Sequence, residues 1–239
     1  MKKKAVVCVS GGMDSLTALA FASLEHDLYL MHVDYGQLTE GKERDSFLQL
    51  AEHFKVPKEQ VYVFQTDVLQ KVGTSCLTDK SIEVPKTGVN PDTIPVSYVP
   101  FRNGNILAMA TSLAEAIGAT AIYAGFVEED SSGYPDCREI FVAAFQRALV
   151  EGTKPGAHIE LIMPVIQMSK MEVIKAAITL QAPIHLSWSC YEAEELACGV
   201  CDSCRLRIRG FSDMGLIDPA PYKVNVAWPK GAEVYDVSR

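Results

Sequence analysis

The chain has 239 residues, 48% of them hydrophobic and 22% charged, with a formal net charge of -8. That length supports one sizeable core, or a core plus a small appendage, and no apolar run nears the roughly 18 residues a membrane span needs. The acidic balance disfavours a broad electrostatic grip on nucleic acid, so no direct nucleic-acid partner is expected.

Met1-Lys2-Lys3-Lys4 has the look of a secretory signal start, but the apolar stretch after it ends at Ser10-Gly11-Gly12 without a small-residue cleavage site, so export is not expected. Val6-Val7-Cys8-Val9 is a strand that runs into Ser10-Gly11-Gly12-Met13-Asp14-Ser15 and then into Leu16, Leu19, Ala20 and Leu24 at helical spacing. Two glycines let the backbone turn tightly and present successive N–H groups. Together with the positive end of the helix dipole, these bind an anion. Ser10 and Ser15 add hydroxyl donors for phosphate oxygens. Asp14 would repel phosphate unless a divalent cation bridged the two, which marks it as a helper for magnesium. The plainer alternative is an ordinary strand-to-helix turn with a serine cap. The stretch lacks both Gly-x-x-x-x-Gly-Lys-Ser/Thr and Gly-x-Gly-x-x-Gly.

Residues 27–34 form a second expected strand, and Asp34 and Tyr35 at its carboxyl end would border a nucleotide sugar or base. A crossover helix over 39–54, carrying Phe47, Leu48, Leu50 and Ala51, precedes a third strand at 61–64. Alternating strand and helix patterns require a parallel sheet. Residues 65–97 lose the rhythm and carry Pro85, Pro91 and Pro95, so a long loop or lid is expected there. Arg102 falls just before an alanine-rich helix at 106–117, a good place to hold an anion, or else a surface arginine beside a capping Asn103. A fourth strand at 120–126 leads into Glu128-Glu129-Asp130-Ser131-Ser132-Gly133-Tyr134-Pro135-Asp136-Cys137-Arg138. Its carboxylates beside Tyr134 and Arg138 would bind magnesium or read the donors of a guanine-like ring; the bland reading is a solvated acidic turn. A helix at 139–151 and a fifth strand at 159–162 follow. Ser169 and Glu172 have capping-box spacing, which leaves Lys170 to reach phosphate or point to solvent.

Cys190, Cys198, Cys201 and Cys204 are spaced C-x7-C-x2-C-x2-C. Two overlapping C-x-x-C steps put three thiolates on one tight loop, and Cys190 supplies the fourth corner of a closed tetrahedral site. Four sulfur ligands leave no open position, so a structural zinc is expected; an iron–sulfur cluster would use the same thiolates. Seven cysteines in this arrangement fit a reducing cytoplasm better than a disulfide framework. Cys8, Cys76 and Cys137 are expected to be ordinary core or loop residues. Beyond Asp218 the tail shows no periodicity and is expected to lie along a neighbour or stay disordered.

The first loop resembles the pyrophosphate loop of the ATP pyrophosphatase superfamily. Taken with Val99-Pro-x-Arg-Asn103, Asp130-x-Ser-Gly-Tyr-Pro-Asp-Cys-Arg138, Ser169-Lys-x-Glu172 and Ser189-Cys-Tyr…Cys-Gly-x-Cys-x-Ser-Cys-x-x-Arg207, it resembles the 7-cyano-7-deazaguanine synthase family over roughly residues 4–215. The resemblance implies an α/β fold with a parallel-sheet, adenine nucleotide α-hydrolase-like core at 1–186, a zinc-binding subdomain at 187–215 and a tail at 216–239. It implies a cytoplasmic homodimer that uses ATP, Mg2+ and ammonia to convert 7-carboxy-7-deazaguanine into 7-cyano-7-deazaguanine (preQ0) for queuosine-type bases. On the matching positions, Ser10, Gly11, Gly12, Asp14, Ser15 and Asp34 would bind ATP. Asp14, Lys170 and Arg102 would carry the catalysis. Arg102, Asn103, Asp130, Tyr134, Asp136 and Arg138 would bind the deazaguanine, the arginines steering its carboxylate and an aspartate its N–H edge. Val127 and Ser131 stand where family members commonly carry Asn or Cys and an aromatic residue, and Asn103-Gly104-Asn105 replaces a more apolar continuation. Relatives that stop at the amide, or that transfer the deazaguanine to a protein, therefore remain alternatives. A tRNA-thiolating ligase would be expected to add a catalytic cysteine or a basic face, and a glutamine-dependent enzyme a further domain.

Overall fold

The protein is described by a computed structural model covering residues 2–86, 93–128 and 133–236. Lys3–Cys8 (β1) is the middle strand of a five-stranded sheet. Beside it run His26–Asp34 (β2) and Ala121–Ala124 (β4), with Val61–Gln65 (β3) and Glu160–Ile162 (β5) outermost, in the order β3-β2-β1-β4-β5. Every pairing is parallel; β1 is in register with β2 from Lys3–His26 to Cys8–Met31 and with β4 from Ala5–Ala121 to Cys8–Ala124. The strand order reverses between β1 and β4, so the loops leaving their carboxyl ends diverge and open a crevice there.

Both faces of the sheet are covered, which is why β1 is an unbroken apolar run rather than an alternation. Ala5, Val7 and Val9 pack against Leu16 and Leu19 of Met13–Glu25 (α1), Phe47 and Leu50 of Glu40–His53 (α2), and Val173 and Ile174 of Lys170–Thr179 (α6). Val6 and Cys8 face Leu107 and Ala110 of Arg102–Ile117 (α4) on the other side. Each fully buried Leu or Phe contributes about 1.5–3 kcal/mol, so these two layers hold the strand ends in place. At the exit of β4, a Cβ on Gly125 would lie 2.4 Å from the carbonyl carbon of Asp14. Glycine is what lets that strand end approach the first turn of α1.

Edges of the expected elements shift by a residue or two, with one larger difference, and an unexpected helix spans Asp202–Asp213. The helix expected from residue 106 begins at Arg102, because Phe101 takes a left-handed conformation (φ 54°) and the polar Asn103 and Gly104 are buried in its first turn. The long connection 65–97 contains the short helix Val68–Val72 (α3). Among its described residues Cys76, Leu77 and Val84 are buried, and the Cys76 and Leu38 N–H groups bond to the carbonyls of Val96 and Leu77, while Val68, Val72 and Ile94 are exposed.

On the far side, Glu139–Gly152 (α5) places Leu149 in the core. The expectation for the tail is corrected up to residue 236. Leu216–Ile217 (β6) pairs with Glu233–Val234 (β7), and Asp218 is tied to Arg207 on Asp202–Asp213 (α7). That arginine is 2% exposed and holds both Asp218 oxygens, at 2.7 and 2.9 Å, while Tyr222 donates to the same carboxylate. A buried bidentate pair anchors what periodicity alone could not place. Among the described residues, no helix is long and apolar enough to cross a membrane.

Candidate active site

A cavity of about 250 Å3 opens at the carboxyl ends of β1, β2 and β4. Its floor is the loop after β1. Gly11 has φ +85°, and a Cβ there would sit 2.6 Å from the Glu43 carbonyl oxygen, so the loop can lie on α2 only as glycine. Ser15 Oγ donates to the Gly12 carbonyl at 2.8 Å and accepts from the Ser10 N–H at 3.2 Å, while Ser10 Oγ accepts from the Gly12 N–H at 3.3 Å. Leu16 N–H is bonded back to the Gly12 carbonyl, so the N–H groups of Met13, Asp14 and Ser15 precede the helical ladder. Donors and helix dipole point the same way, as an anion site requires.

Across this loop lies Lys170. It is the first residue of α6, whose capping box is complete: Glu172 N–H donates to Ser169 Oγ, and Ser169 N–H donates to the Glu172 carboxylate. The cap orients Lys170 inward, where it is 8% exposed and its Nζ donates to Asp14 Oδ1 at 2.5 Å. Asp14 and Lys170, 156 residues apart in sequence, therefore share one spot at the start of α1.

The opposite wall carries Arg102. Its Nη1 donates to the Tyr35 hydroxyl at 3.2 Å and its Nε to Asn103 Oδ1 at 3.3 Å, and its guanidinium stands 5.9 and 5.8 Å from the rings of Tyr35 and Tyr134. Burial opposes its charge, but Tyr35, Tyr134 and Cys137 more than offset this and hold its pKa above the ordinary value. Tyr134 is itself buried and donates to Ser97 Oγ. No carboxylate lies within 4.0 Å of this guanidinium among the described residues, so its charge is not matched by one there.

Ser10, Gly12, Asp14, Ser15, Arg102, Asn103, Tyr134 and Lys170 thus line one cavity. Gly11 supports the loop from beneath. Asp34, Asp136 and Arg138 are not brought to the cavity. Asp34 is buried between Arg44 Nη1, at 2.6 Å, and His32 Nε2, at 3.3 Å, so its charge is already matched. Asp136 accepts from the Asn103 N–H at 2.9 Å and so acts as a cap on the N-terminus of α4; burial raises its pKa. Arg138 is exposed and donates to the carbonyl of Pro135 in its own turn. Asp130 and Ser131 lie outside the described residues.

Sequence reasoning missed His32, Gln37, Thr39, Glu43 and Trp188, all of which line the cavity. Gln37 and Glu43 follow Tyr35 closely, but nothing in helical spacing distinguishes them from solvated residues of a helix start. Trp188 arrives from the distant loop before Cys190, where its N–H bonds to the Gly11 carbonyl at 2.9 Å.

Cys190, Cys198, Cys201 and Cys204 are all buried, with sulfur atoms within 4.8 Å of one another. Cys198 N–H donates to Cys190 Sγ, and Cys201 and Val200 N–H to Cys198 Sγ. Four convergent sulfurs with backbone N–H support are a donor set that could bind a metal, and the residues fit a closed tetrahedral ion. All seven cysteines are free thiols.

A family described as "Queuosine biosynthesis protein QueC" matches residues 4–215. The chain belongs to that family. Among curated relatives, the 7-cyano-7-deazaguanine synthase of Chlorobaculum parvum is 50% identical over 222 residues, covering 92% of this chain and 97% of the relative. The 7-cyano-7-deazaguanine synthase of Nautilia profundicola is 47% identical, covering 92% and 99%. A solved 4-thiouridine synthetase–RNA complex with bound ATP is 18% identical with a TM-score of 0.46, over 74% of this chain and 40% of that one, a likeness too slight to bear on function. This member of the family therefore has a parallel-sheet α/β core with a four-cysteine cluster towards its C-terminus.

Proposed function

We propose that this cavity makes 7-cyano-7-deazaguanine (preQ0) from 7-carboxy-7-deazaguanine, ammonia and ATP, through two adenylated intermediates in one site. The observation that carries the reading is that a glycine turn at a helix N-terminus faces an arginine across one cavity. A phosphate cradle with the Asp14–Lys170 pair forms one wall, and Arg102, flanked by Tyr35 and Tyr134, forms the other.

A ring carboxylate is a poor electrophile, and its oxide is a poor leaving group. Transfer of AMP to that oxygen corrects both, and requires the α-phosphate and the carboxylate to meet in line. The N–H groups at the start of α1 would hold the departing pyrophosphate, and Lys170 Nζ would neutralise it. Arg102 would hold the carboxylate of the incoming acid, with the tyrosine rings bounding its plane. Mg2+ would be held by Asp14 together with phosphate oxygens, since a single carboxylate is what magnesium needs when the nucleotide supplies the rest; bound there, it would offset charge on the leaving group. Ammonia then displaces AMP to give an amide. Adenylation of the amide oxygen repeats the activation, and loss of AMP gives the nitrile. The cysteine cluster would hold a structural zinc, away from the reacting atoms.

A reducing, cytoplasmic setting suits seven cysteines that form no disulfide. A homodimer is supported by the apolar side chains that α5 and the start of α4 leave exposed, Ile140, Val150 and Phe101. Mass spectrometry of a reaction with 7-carboxy-7-deazaguanine, ATP, Mg2+ and ammonia tests the activity. The nitrile with AMP and pyrophosphate is the expected outcome. An amide that accumulates would mark an enzyme that stops halfway, and an unconsumed acid would remove the substrate assignment.

A further inference from the structure

The reading above leaves one requirement without a residue: nitrogen must lose protons as it replaces AMP. Glu43 sits in the first turn of α2 and lines the cavity. Its Oε1 accepts from the Thr39 hydroxyl at 2.8 Å and its Oε2 from the Gln37 amide at 3.1 Å. Gln37 is fixed in turn, because its Oε1 accepts from the Tyr35 N–H at 2.9 Å. The carboxylate is therefore aimed by two neutral donors, each oxygen keeping a lone pair. It has no cation within 4.0 Å among the described residues, unlike Asp14 and Asp34, which are each paired.

Its position is equally constrained. The Glu43 backbone carbonyl is the atom on which Gly11 rests, so this residue cannot shift independently of the phosphate loop. On the other side, Tyr35 leads to Arg102. Glu43 stands between the place for the nucleotide and the place for the acid, which is where an acyl adenylate would present its carbonyl carbon.

We propose that Glu43 is the catalytic base of both nitrogen steps, binding the incoming ammonia through an N–H and taking a proton from it. The proposal rests on the adenylation reading above. In the first step the ammonia lone pair bonds to the acyl carbon, one N–H proton passes to Glu43, and the C–O bond breaks with its electron pair going to AMP. The products are amide, AMP and a protonated Glu43, which returns its proton to solvent. As the amide oxygen is adenylated, nitrogen releases one proton to solvent and becomes the imidate, and in the second step the ionised carboxylate takes the remaining N–H proton of that O-adenylated imidate. The N–H electrons form the third C–N bond, and the C–O bond again breaks towards AMP.

The electrostatics suit this work. Burial pushes the Glu43 carboxyl up to about 7, against hydrogen bonds from Thr39 and Gln37 and the charge of Arg102; Asp34, behind it on β2 and paired with Arg44, adds to the upward push. A base that titrates near the working pH combines availability with proton affinity.

The test separates activation from nitrogen transfer in the intact protein. Acid-dependent exchange of labelled pyrophosphate into ATP reports adenylation, and amide and nitrile formation at constant free ammonia over pH 6 to 9 reports the nitrogen steps. Glu43→Gln should keep the exchange, slow amide formation roughly 100-fold or more, and lose the rise in rate through about pH 7 that the wild type shows. Glu43→Asp should keep that rise at a reduced rate, and it serves in place of the glutamine variant if the latter does not fold. Unchanged amide formation and pH profile in Glu43→Gln would overturn the proposal, as would equal loss of exchange and amide formation. A wild type that neither exchanges pyrophosphate nor consumes the acid would overturn instead the adenylation reading.

Discussion

The four-cysteine cluster and the cavity solve opposite problems. In the cluster, like groups close in sequence converge from residues 190 to 204, and every sulfur is buried with its neighbours. In the cavity, unlike groups come from the whole chain: a loop after β1, the start of α2, the start of α4 and the cap of α6. The cluster satisfies itself once an ion is present, so it contributes folding energy. The cavity pairs Asp14 with Lys170 on one wall but leaves Arg102 on the other, and Glu43 between, without an ion partner among the described residues, so a ligand has charge left to meet. The two regions differ in what would complete them, a single ion among like donors in the cluster and a ligand meeting unlike charges in the cavity.

That contrast can be broken most severely at Asp14. Asp14→Ala removes the carboxylate that meets Lys170 at the start of α1, and with it the proposed magnesium ligand. AMP formation should fall by at least about 100-fold, measured by chromatography of the nucleotides, and ADP as sole product would show that the wrong phosphate had been assigned.

Cys201→Ser should do the reverse. A stoichiometric metal, read as zinc by elemental analysis, should be lost, and the thermal transition should fall by many degrees while ATP still binds any folded fraction. Full thermal stability without metal would erase the distinction between the two regions.

Arg102→Ala probes the far wall of the cavity. Losing a charged hydrogen bond typically costs about 1.5–3 kcal/mol, so use of the acid should weaken by roughly one to two orders of magnitude. ATP affinity, measured by calorimetry, should stay unchanged; if both fell together, the two walls would not be separate subsites.

The smallest effect concerns the energy stored at Glu43. Its pKa in the folded protein is raised from 4.5 to about 7, so the folded state binds the proton more tightly than the unfolded state. The stabilisation from that proton is fully present below about pH 4.5, declines as pH rises, and is gone above about 7. Glu43→Gln should therefore gain stability relative to the wild type at pH 8 more than at pH 5, by thermal melting at both values. An equal difference at the two values would mean that the carboxyl is not strained by burial.

Local pattern carried the five-stranded sheet, the helices α1, α2 and α4 to α6, the glycine turn after β1 and the cysteine cluster, because each depends on residues within a turn or two of one another, while α3, α7, β6 and β7 escaped it. The run Val6–Val9, the glycines after it, the capping box at Ser169 and the C-x2-C-x2-C spacing have few ways to fold. The same reasoning could not tell whether Asp34, Asp136 and Arg138 face a ligand or an internal partner, since a charged residue in a loop or at a strand end suits either. Arg44, the N-terminus of α4 and the Pro135 carbonyl claimed them, and none of these partners is visible before the chain has folded. Only the tertiary structure set Lys170 against Asp14, laid Gly11 on the Glu43 carbonyl and tied the tail through Arg207 to Asp218. Those contacts join segments that composition treats as independent, and their energies come from desolvation and charge pairing that exist only once the sheet has brought them together.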